Sequence, residues 1–144
     1  MTPQVRLAES SDVDACQKLE AQCHGAAAGT RGADAFFAQH SVSFRSSNGF
    51  TLVAEVDGVV VGFATVLLET VASQTTATIE RIFVAAPARR VGIGDALIGG
   101  VRSAARERNC SRLDALALPG DRDTKNLYER NGLTARLITA SSPL

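Results

Sequence analysis

The sequence lacks several features that mark specialised classes of protein. It has three cysteines, none in a Cys-x-x-Cys pair, and two histidines that fall in different segments. An odd number of unpaired cysteines fits neither a disulfide framework nor a zinc knuckle, and no His-Glu-x-x-His spacing is present. We therefore expect Cys16, Cys23 and Cys110 to act as small buried side chains, and we expect no metal site.

Long apolar runs and an excess of charge of either sign are also missing. No stretch approaches 18 apolar residues, and the first thirty residues lack a charged start followed by an apolar core, which argues against a membrane span and a secretory signal. Fifteen basic residues balance fifteen acidic ones, so no overall field draws the protein to nucleic acid or to an anionic membrane. We expect a soluble cytoplasmic protein without nucleic-acid or membrane partners.

The N-terminal third predicts two helices. Apolar side chains recur at three- and four-residue steps over 13–23, as on one face of a helix. The glycine-rich segment 25–32 interrupts this pattern and predicts a flexible connection. A second helix is predicted over 33–40, with Phe36 and Phe37 reaching the core.

The middle of the chain predicts an antiparallel meander. Asp57-Gly58 is a strong signal for a two-residue hairpin, and the polar segment 73–76 predicts a second turn. The residues between these turns are rich in β-branched side chains, as strands are. The predicted strands cover 50–56, 59–68 and 77–84, and a short apolar run lies at 5–7.

A different unit follows. Apolar residues line one face of a helix that begins near Gly92 and stops at Asn109, and 112–118 has strand composition. A strand, a helix and a strand in this order imply a right-handed parallel crossover. A last helix is predicted over 123–131, and Gly132 closes it as a left-handed cap. A final strand is predicted over 133–140.

These elements predict an α/β fold of the α+β type. Apolar residues make up 45% and charged residues 21% of the chain, as in ordinary globular proteins. The 144 residues are too few for two separate cores. We expect a single domain over 1–144, with a central mixed, mostly antiparallel sheet, one parallel βαβ crossover and helices on both faces.

The segment 89–94, Arg-Arg-Val-Gly-Ile-Gly, has the composition of an anion site. Its two glycines let the backbone turn tightly and approach a ligand. The unpaired N–H groups and the positive dipole end of the following helix suit a pyrophosphate, and Arg89 and Arg90 add two positive charges. The alternative is a surface loop with solvated arginines, in which the glycines only turn the chain.

A dinucleotide-binding fingerprint is a weaker alternative for the same segment. Asp114 lies about twenty residues after Gly94, as that fingerprint requires. However, Leu97 stands where a third glycine is needed, the glycines come well after the end of the strand, and Asp114 lies near the beginning of its own strand. A Walker loop is excluded because no Gly-Lys-Ser/Thr occurs.

Two segments together resemble the GNAT (Gcn5-related N-acetyltransferase) superfamily. The run 79–97 is similar to motif A, which has an apolar strand, a loop with proline, and Arg/Gln-x-x-Gly-x-Gly/Ala opening a helix; Arg89, Gly92 and Gly94 occupy these positions. The run 126–133, Asn-Leu-Tyr-Glu-Arg-Asn-Gly-Leu, is similar to motif B. The order of elements also matches across nearly the whole chain.

The resemblance implies a GNAT-like fold that binds acetyl-CoA as cosubstrate, with no metal. Acetyl-CoA would lie between the parallel strands 77–84 and 112–118, with its pyrophosphate on the N–H groups of 91–94 and its pantetheine arm paired with the first strand. The residues expected to contact it are Ile82, Phe83, Val84, Arg89, Arg90, Val91, Gly92, Ile93, Gly94 and Asp95.

The resemblance also implies two catalytic residues. Glu80 is the candidate general base because it is the only acidic residue in the strand that faces the acetyl group; the alternative is a surface or salt-bridged residue, and some relatives carry the acid at the position of Arg81. Tyr128 is the candidate general acid, since a phenol with a pKa of about 10 holds its proton at neutral pH. The alternative for Tyr128 is a packing role.

The expected function is N-acetyl transfer from acetyl-CoA to a primary amine, with a small-molecule acceptor favoured. The alternatives are a protein or peptide amine, a non-catalytic acetyl-CoA-binding regulatory module, and acetylation of charged transfer RNA, which the neutral charge balance disfavours. Acceptor contacts are expected from the N-terminal helices, segment 25–32 and the turn near 69–76. Because the family usually has two strands after motif B, a strand from a second copy could complete the sheet, so a homodimer is expected.

Overall fold

The computed structural model describes residues 2–44 and 47–144. Within these residues the chain forms five strands and four helices, with short 3-10 turns at Ser10–Asp12 and Ala86–Ala88. The strands are β1 Gln4–Leu7, β2 Gly49–Val56, β3 Val59–Val71, β4 Gln74–Val84 and β5 Arg112–Ala115. The helices are α1 Val13–Ala27, α2 Ala33–Gln39, α3 Ile93–Glu107 and α4 Arg122–Arg130.

The strands form one mixed sheet in the order β1-β2-β3-β4-β5. The first three pairs are antiparallel and β4 pairs with β5 in parallel, because α3 carries the chain back across the sheet. The predicted fold class, with its single parallel crossover, is confirmed.

Helices cover both faces of the sheet, as predicted. On one face α3 packs its buried side chains, including Ile93, Leu97 and Val101, against the sheet, and Tyr128 of α4 joins the same cluster. On the other face Cys16 and Leu19 of α1 pack against the aromatic and aliphatic side chains of β2, β3 and β4. Successive apolar side chains of the central strands point to opposite faces of the sheet and so contribute to the core on each face.

The positions of the turns explain why the observed strands differ in length from the predicted ones. Asp57 and Gly58 have φ angles of 52° and 79°, which a two-residue hairpin of the predicted type requires. The next turn lies at Ala72 and Ser73, whose φ angles are 51° and 67°, and so overlaps the predicted turn at 73–76 only at its first residue. Because the reversal comes this early, β3 extends to Val71 and β4 begins at Gln74.

Two predictions about the N-terminal helices need correction. Helix α1 passes through Gly25 and ends at Ala27; a glycine in a helix costs only about 1 kcal/mol, which the packing of α1 on the sheet outweighs. Phe36 and Phe37 are half-buried and lie outside both core clusters. They contact each other edge-to-face, and the Arg81 guanidinium lies over the Phe37 ring beside the sheet.

The predicted last strand does not form. Residues 133–144 have no regular secondary structure, and Leu137 and Ile138 are 89% and 88% exposed. β-branched and apolar composition favours a strand only where an edge accepts its hydrogen bonds, and this segment pairs with neither β1 nor β5. In the part of the chain that is described, no helix is long and apolar enough to cross a membrane.

Adjacent glycines in α3 provide a matched test of its packing. A Cβ added at Gly100 lies 2.8 Å from Val5 Cγ1 and 3.0 Å from Leu52 Cδ1, whereas nothing lies within 4 Å of one added at Gly99. Gly99→Ala should stabilise the protein by about 0.5–1 kcal/mol through helix propensity. Gly100→Ala should lose that gain and a further ~1–3 kcal/mol through overpacking. Urea unfolding of the two variants measures the difference; equal stabilities contradict the packing of α3 on β1 and β2.

Candidate active site

The parallel strands β4 and β5 separate halfway along β4. Their register ends with Ile79 opposite Ala115, and the last hydrogen bond runs from the Leu116 N–H to the Ile79 carbonyl, at 3.0 Å. Beyond this point β4 continues to Val84, while the chain after β5 turns towards α4. A cleft of about 800 Å³ opens between them.

A β-bulge lies where the strands separate. In the register of β3 with β4, Thr65 is opposite Arg81 and Val66 is opposite Ile79, so Glu80 has no partner. An extra residue of this kind bends its strand and redirects its side chain. The bulge therefore turns the second half of β4 away from β5 and accounts for β5 ending before the predicted residue 118.

On the side of the cleft, no neighbouring strand in the described part of the chain pairs with the second half of β4. The Ala85 N–H donates to the Val61 carbonyl at 2.8 Å, and Phe83 lies opposite Phe63. Since antiparallel residues alternate between the two sides of a strand, the N–H and C=O groups of Ile82 and Val84 point away from β3, towards the cleft. An extended ligand can pair with this edge.

The glycine loop closes one end of the cleft. Arg90 and Gly92 have φ angles of 67° and 82°, which place Gly92 as the N-cap of α3. The first intrahelical bond runs from Ala96 N–H to Gly92 carbonyl, so the N–H groups of the three residues between them have no partner within the helix. This terminus can accept an anion.

Arg89 and Asp95 have structural partners in this loop. The Arg89 Nε donates to the Val84 carbonyl at 2.8 Å, and its guanidinium lies 5.2 Å from the Phe83 ring centroid. The Asp95 carboxylate accepts hydrogen bonds from Arg130 and Asn131, and these bonds lower its pKa. Asp95 thus connects the start of α3 to the end of α4 while lining the cleft.

Gly94 allows α4 to approach the start of α3. A Cβ added there lies 3.0 Å from Leu127 Cδ2. Because α4 lies this close, its side chains form one wall of the cleft, with Asp121 capping the helix through a 3.0 Å bond from the Thr124 N–H. Tyr128 projects from the same helix.

Tyr128 is buried in this wall. It is 6% exposed, and its hydroxyl donates to the Leu116 carbonyl at 2.8 Å. Burial raises the pKa of the phenol above its usual range, so Tyr128 retains its proton at neutral pH. The hydroxyl lies at the point where β4 and β5 separate, since Leu116 is the residue that makes their last hydrogen bond.

Glu80 lines the opposite wall and is half-buried. Removal from water raises the pKa of its carboxyl, and the nearby His40 and Arg81 oppose this shift only in part. A carboxylate with a raised pKa is a better proton acceptor than an exposed one. The structure thus brings both predicted catalytic residues to one cleft.

A buried ion pair lies next to Glu80. Arg81 is 4% exposed and forms a bidentate pair with Glu20 of α1, with Nε–Oε1 and Nη2–Oε2 distances of 2.9 and 3.0 Å. Its Nη2 also donates to the His40 carbonyl at 2.7 Å, and Phe36 and Phe37 lie 5.3 and 4.7 Å from its guanidinium. The pair connects β4, α1 and the end of α2.

Comparison with known families identifies the chain. The acetyltransferase (GNAT) family matches residues 13–133. The chain belongs to this family of N-acetyltransferases, and the predictions of the family and of an enzyme are confirmed. A search of curated proteins finds no match.

Solved structures support the fold of this acetyltransferase. A ribosomal-protein-alanine N-acetyltransferase from Brucella melitensis biovar Abortus 2308 is 28% identical, covers 99% of each chain and superposes with a TM-score of 0.76. Aminoglycoside N-acetyltransferase AAC(6')-Iy, in complex with CoA, is 20% identical over 99% of this chain and 96% of its own, with a TM-score of 0.73. A Trypanosoma brucei acetyltransferase is 22% identical over 99% and 100%, with a TM-score of 0.73.

Most of the predicted site residues of the acetyltransferase line the cleft. Val91 does not, and it is 60% exposed. The sequence reasoning missed the side chains of Cys23, Phe37 and Arg81, which also line the cleft. Arg81 had a detectable signal, because a charged residue in an otherwise apolar strand needs a buried partner.

The Glu20–Arg81 pair of the acetyltransferase yields a prediction about stability. Glu20→Gln leaves the buried guanidinium without its counter-charge, so the free energy of unfolding should fall by about 3 kcal/mol or more. Arg112 and Asp114 form an exposed pair, with 62% and 42% of their side chains accessible. Asp114→Asn is the matched control and should cost less than about 1 kcal/mol. Urea unfolding measures both; similar losses contradict the buried role of Arg81.

Proposed function

We propose that this acetyltransferase transfers the acetyl group of acetyl-CoA directly to a primary amine in the cleft between β4 and β5. One observation carries the proposal. The unpaired edge of β4, the N-terminus of α3 and two groups able to exchange protons, Glu80 and Tyr128, all face the same cavity of about 800 Å³.

Acetyl-CoA matches the chemistry of this cavity part by part. The pyrophosphate suits the N–H groups at the N-terminus of α3 and the positive charge of Arg90. The pantetheine arm carries amides that can pair with the backbone groups of Ile82 and Val84, as an added strand does. The thioester then lies beside Glu80, where the bulge leaves backbone N–H groups of β4 able to stabilise an oxyanion.

The transfer needs two proton movements. The amine nitrogen attacks the thioester carbonyl, its proton passes to the Glu80 carboxylate directly or through water, and the carbon–sulfur bond breaks. The Tyr128 hydroxyl gives its proton to the departing thiolate, and the proton held by Glu80 then returns to Tyr128 through water, which restores both residues. The result is an acetylated amine and free CoA.

Cys23 supports direct transfer. It is the only cysteine among the described residues that line the cleft, and burial raises the pKa of its thiol to about 11. The thiolate is the nucleophilic form of cysteine, so Cys23 is unsuited to carry the acetyl group as a covalent intermediate. Direct attack of the acceptor amine on the thioester needs no such intermediate.

A peptide amine is the second candidate acceptor. The neighbour from Brucella melitensis is a ribosomal-protein-alanine N-acetyltransferase and shares 28% identity over the whole chain. A peptide with an N-terminal alanine therefore belongs in the assay beside small amines. Release of free thiol from acetyl-CoA measures turnover with either class.

The cofactor site yields a prediction about affinity. Arg90 is exposed beside the N-terminus of α3, whereas Arg106 is exposed in the last turn of the same helix. Arg90→Ala should weaken acetyl-CoA binding about tenfold, which corresponds to ~1.4 kcal/mol for a lost phosphate contact. Arg106→Ala is the matched control and should leave the affinity unchanged. Calorimetric titration measures both; absence of acetyl-CoA binding by the unmodified protein contradicts the proposal itself.

The catalytic pair yields a prediction about turnover. Tyr128→Phe should lower kcat more than tenfold with little change in acetyl-CoA affinity, because it removes the proton donor and keeps the buried ring. The ionised form of Glu80 is the active one, so kcat/KM should fall as the pH is lowered through its raised pKa. This acid limb should disappear in Glu80→Gln. Unchanged turnover in either variant removes that residue from the mechanism.

A further inference from the structure

A second, smaller cavity adjoins the catalytic cleft. Its volume is about 210 Å³, and it lies on the sheet beneath the segment that follows α2. Glu80 lines both cavities. A molecule in the smaller cavity can therefore place one end beside Glu80, where the acceptor amine must lie.

The walls of the second cavity combine hydroxyl and aromatic groups. Thr51 and Thr65 lie opposite each other on β2 and β3, and the Thr51 hydroxyl donates to the Thr65 hydroxyl at 3.2 Å. The Thr51 oxygen keeps lone pairs that can accept a further hydrogen bond. Phe44 forms an outer wall and is held by an edge-to-face contact with Phe63, with ring centroids 5.1 Å apart.

The charges around the cavity restrict the acceptor to a single cationic group. Among the described residues that line it, Glu80 is the only charged one. A polyamine needs further carboxylates. A carboxylate-bearing acceptor needs a free cation, which none of the described lining residues supplies. The guanidinium of Arg81, the residue after Glu80, is occupied by Glu20 and the His40 carbonyl.

The volume of the second cavity restricts the size of the acceptor. An apolar cavity of about 150 Å³ holds a benzene molecule, and sites for drug-sized ligands have about 300–1,000 Å³. A cavity of about 210 Å³ therefore suits one ring or a short branched chain.

From this arrangement we infer that the second cavity is the acceptor site and takes a small primary monoamine. The remainder of the acceptor is uncharged, no larger than about one ring, and carries a hydroxyl that donates to Thr51. The amine lies beside Glu80 and attacks the thioester from this side. The inference rests on the proposed function and adds the class of acceptor.

The proposed acceptor site differs in part from the acceptor contacts expected from the sequence. The turn near 69–76 lines neither cavity, whereas the segment after α2, represented by Ser41, Ser43 and Phe44, does. Helices α1 and α2 border the larger cleft through Ala27 and Phe37. These helices thus cover the cleft, and the segment after α2 forms the specific pocket.

The test fills the cavity from its rim. Ser41 is an exposed residue at the cavity, and Ser103 is an exposed residue of α3 that lines neither cavity. Ser41→Trp should raise the KM for tyramine, the probe amine, at least tenfold while the Kd for acetyl-CoA stays within twofold. Ser103→Trp is the matched control and should change neither. An unchanged KM in Ser41→Trp overturns the inference.

Thr51→Val tests the hydroxyl contact separately. Valine keeps the shape of threonine and removes its oxygen, so the preference for tyramine over phenethylamine should fall about threefold or more. Spermidine and an alanine-initiated peptide complete the panel. If acetyl-CoA binds and only these last two acceptors are acetylated, the acceptor class is wrong while the proposed function stands; if acetyl-CoA does not bind, the proposed function fails.

If no amine of the panel is acetylated, the acceptor site can still be tested by measuring binding. Tyramine is titrated into the CoA complex, and the backbone amide resonances are followed by NMR. Shifts at Phe44, Thr51 and Thr65 that are absent from Ser41→Trp support the inference. An absence of shifts at these positions overturns it.

Discussion

The cleft depends on the single unpaired residue in β4. A regular β4 would pair with β5 along its whole length and would leave no exposed strand edge inside the molecule. Because Glu80 is extra in the register with β3, β4 bends after Ile79 and its later residues lose contact with β5. The same bulge that opens the cleft turns the only acidic side chain of the strand towards it.

An exposed strand edge is normally a liability, since it can pair with any other strand. Here the open edge of β4 lies between α1 and α2 on one side and α4 on the other, so only a narrow extended molecule can reach it. The buried Arg81–Glu20 pair fixes one of these walls. Such a pair contributes little net stability because both charges lose water, but it holds α1 and the end of α2 in one position relative to β4.

The fold could be predicted because its signals are local. The hairpin at Asp57-Gly58, the apolar face of α3 and the left-handed cap at Gly132 each depend on a few neighbouring residues, and the structure contains all three. The prediction of a final strand over 133–140 was wrong because a strand needs a partner edge, which local composition does not reveal. The bulge at Glu80 was invisible for the same reason, since it exists only in the register between two strands.

The two halves of the site differ in how far the sequence reveals them. The larger cleft presents backbone groups, at Ile82 and Val84 and at the start of α3, and backbone geometry is encoded by glycines and by a helix start that form a recognisable pattern. The second cavity is built from side chains that come together from β2, β3, β4 and the segment after α2. Thr51 and Thr65 are ordinary strand residues by themselves and become a polar pair only when the sheet forms. Recognition through backbone can therefore be read from a short motif, whereas recognition of the acceptor requires the tertiary structure.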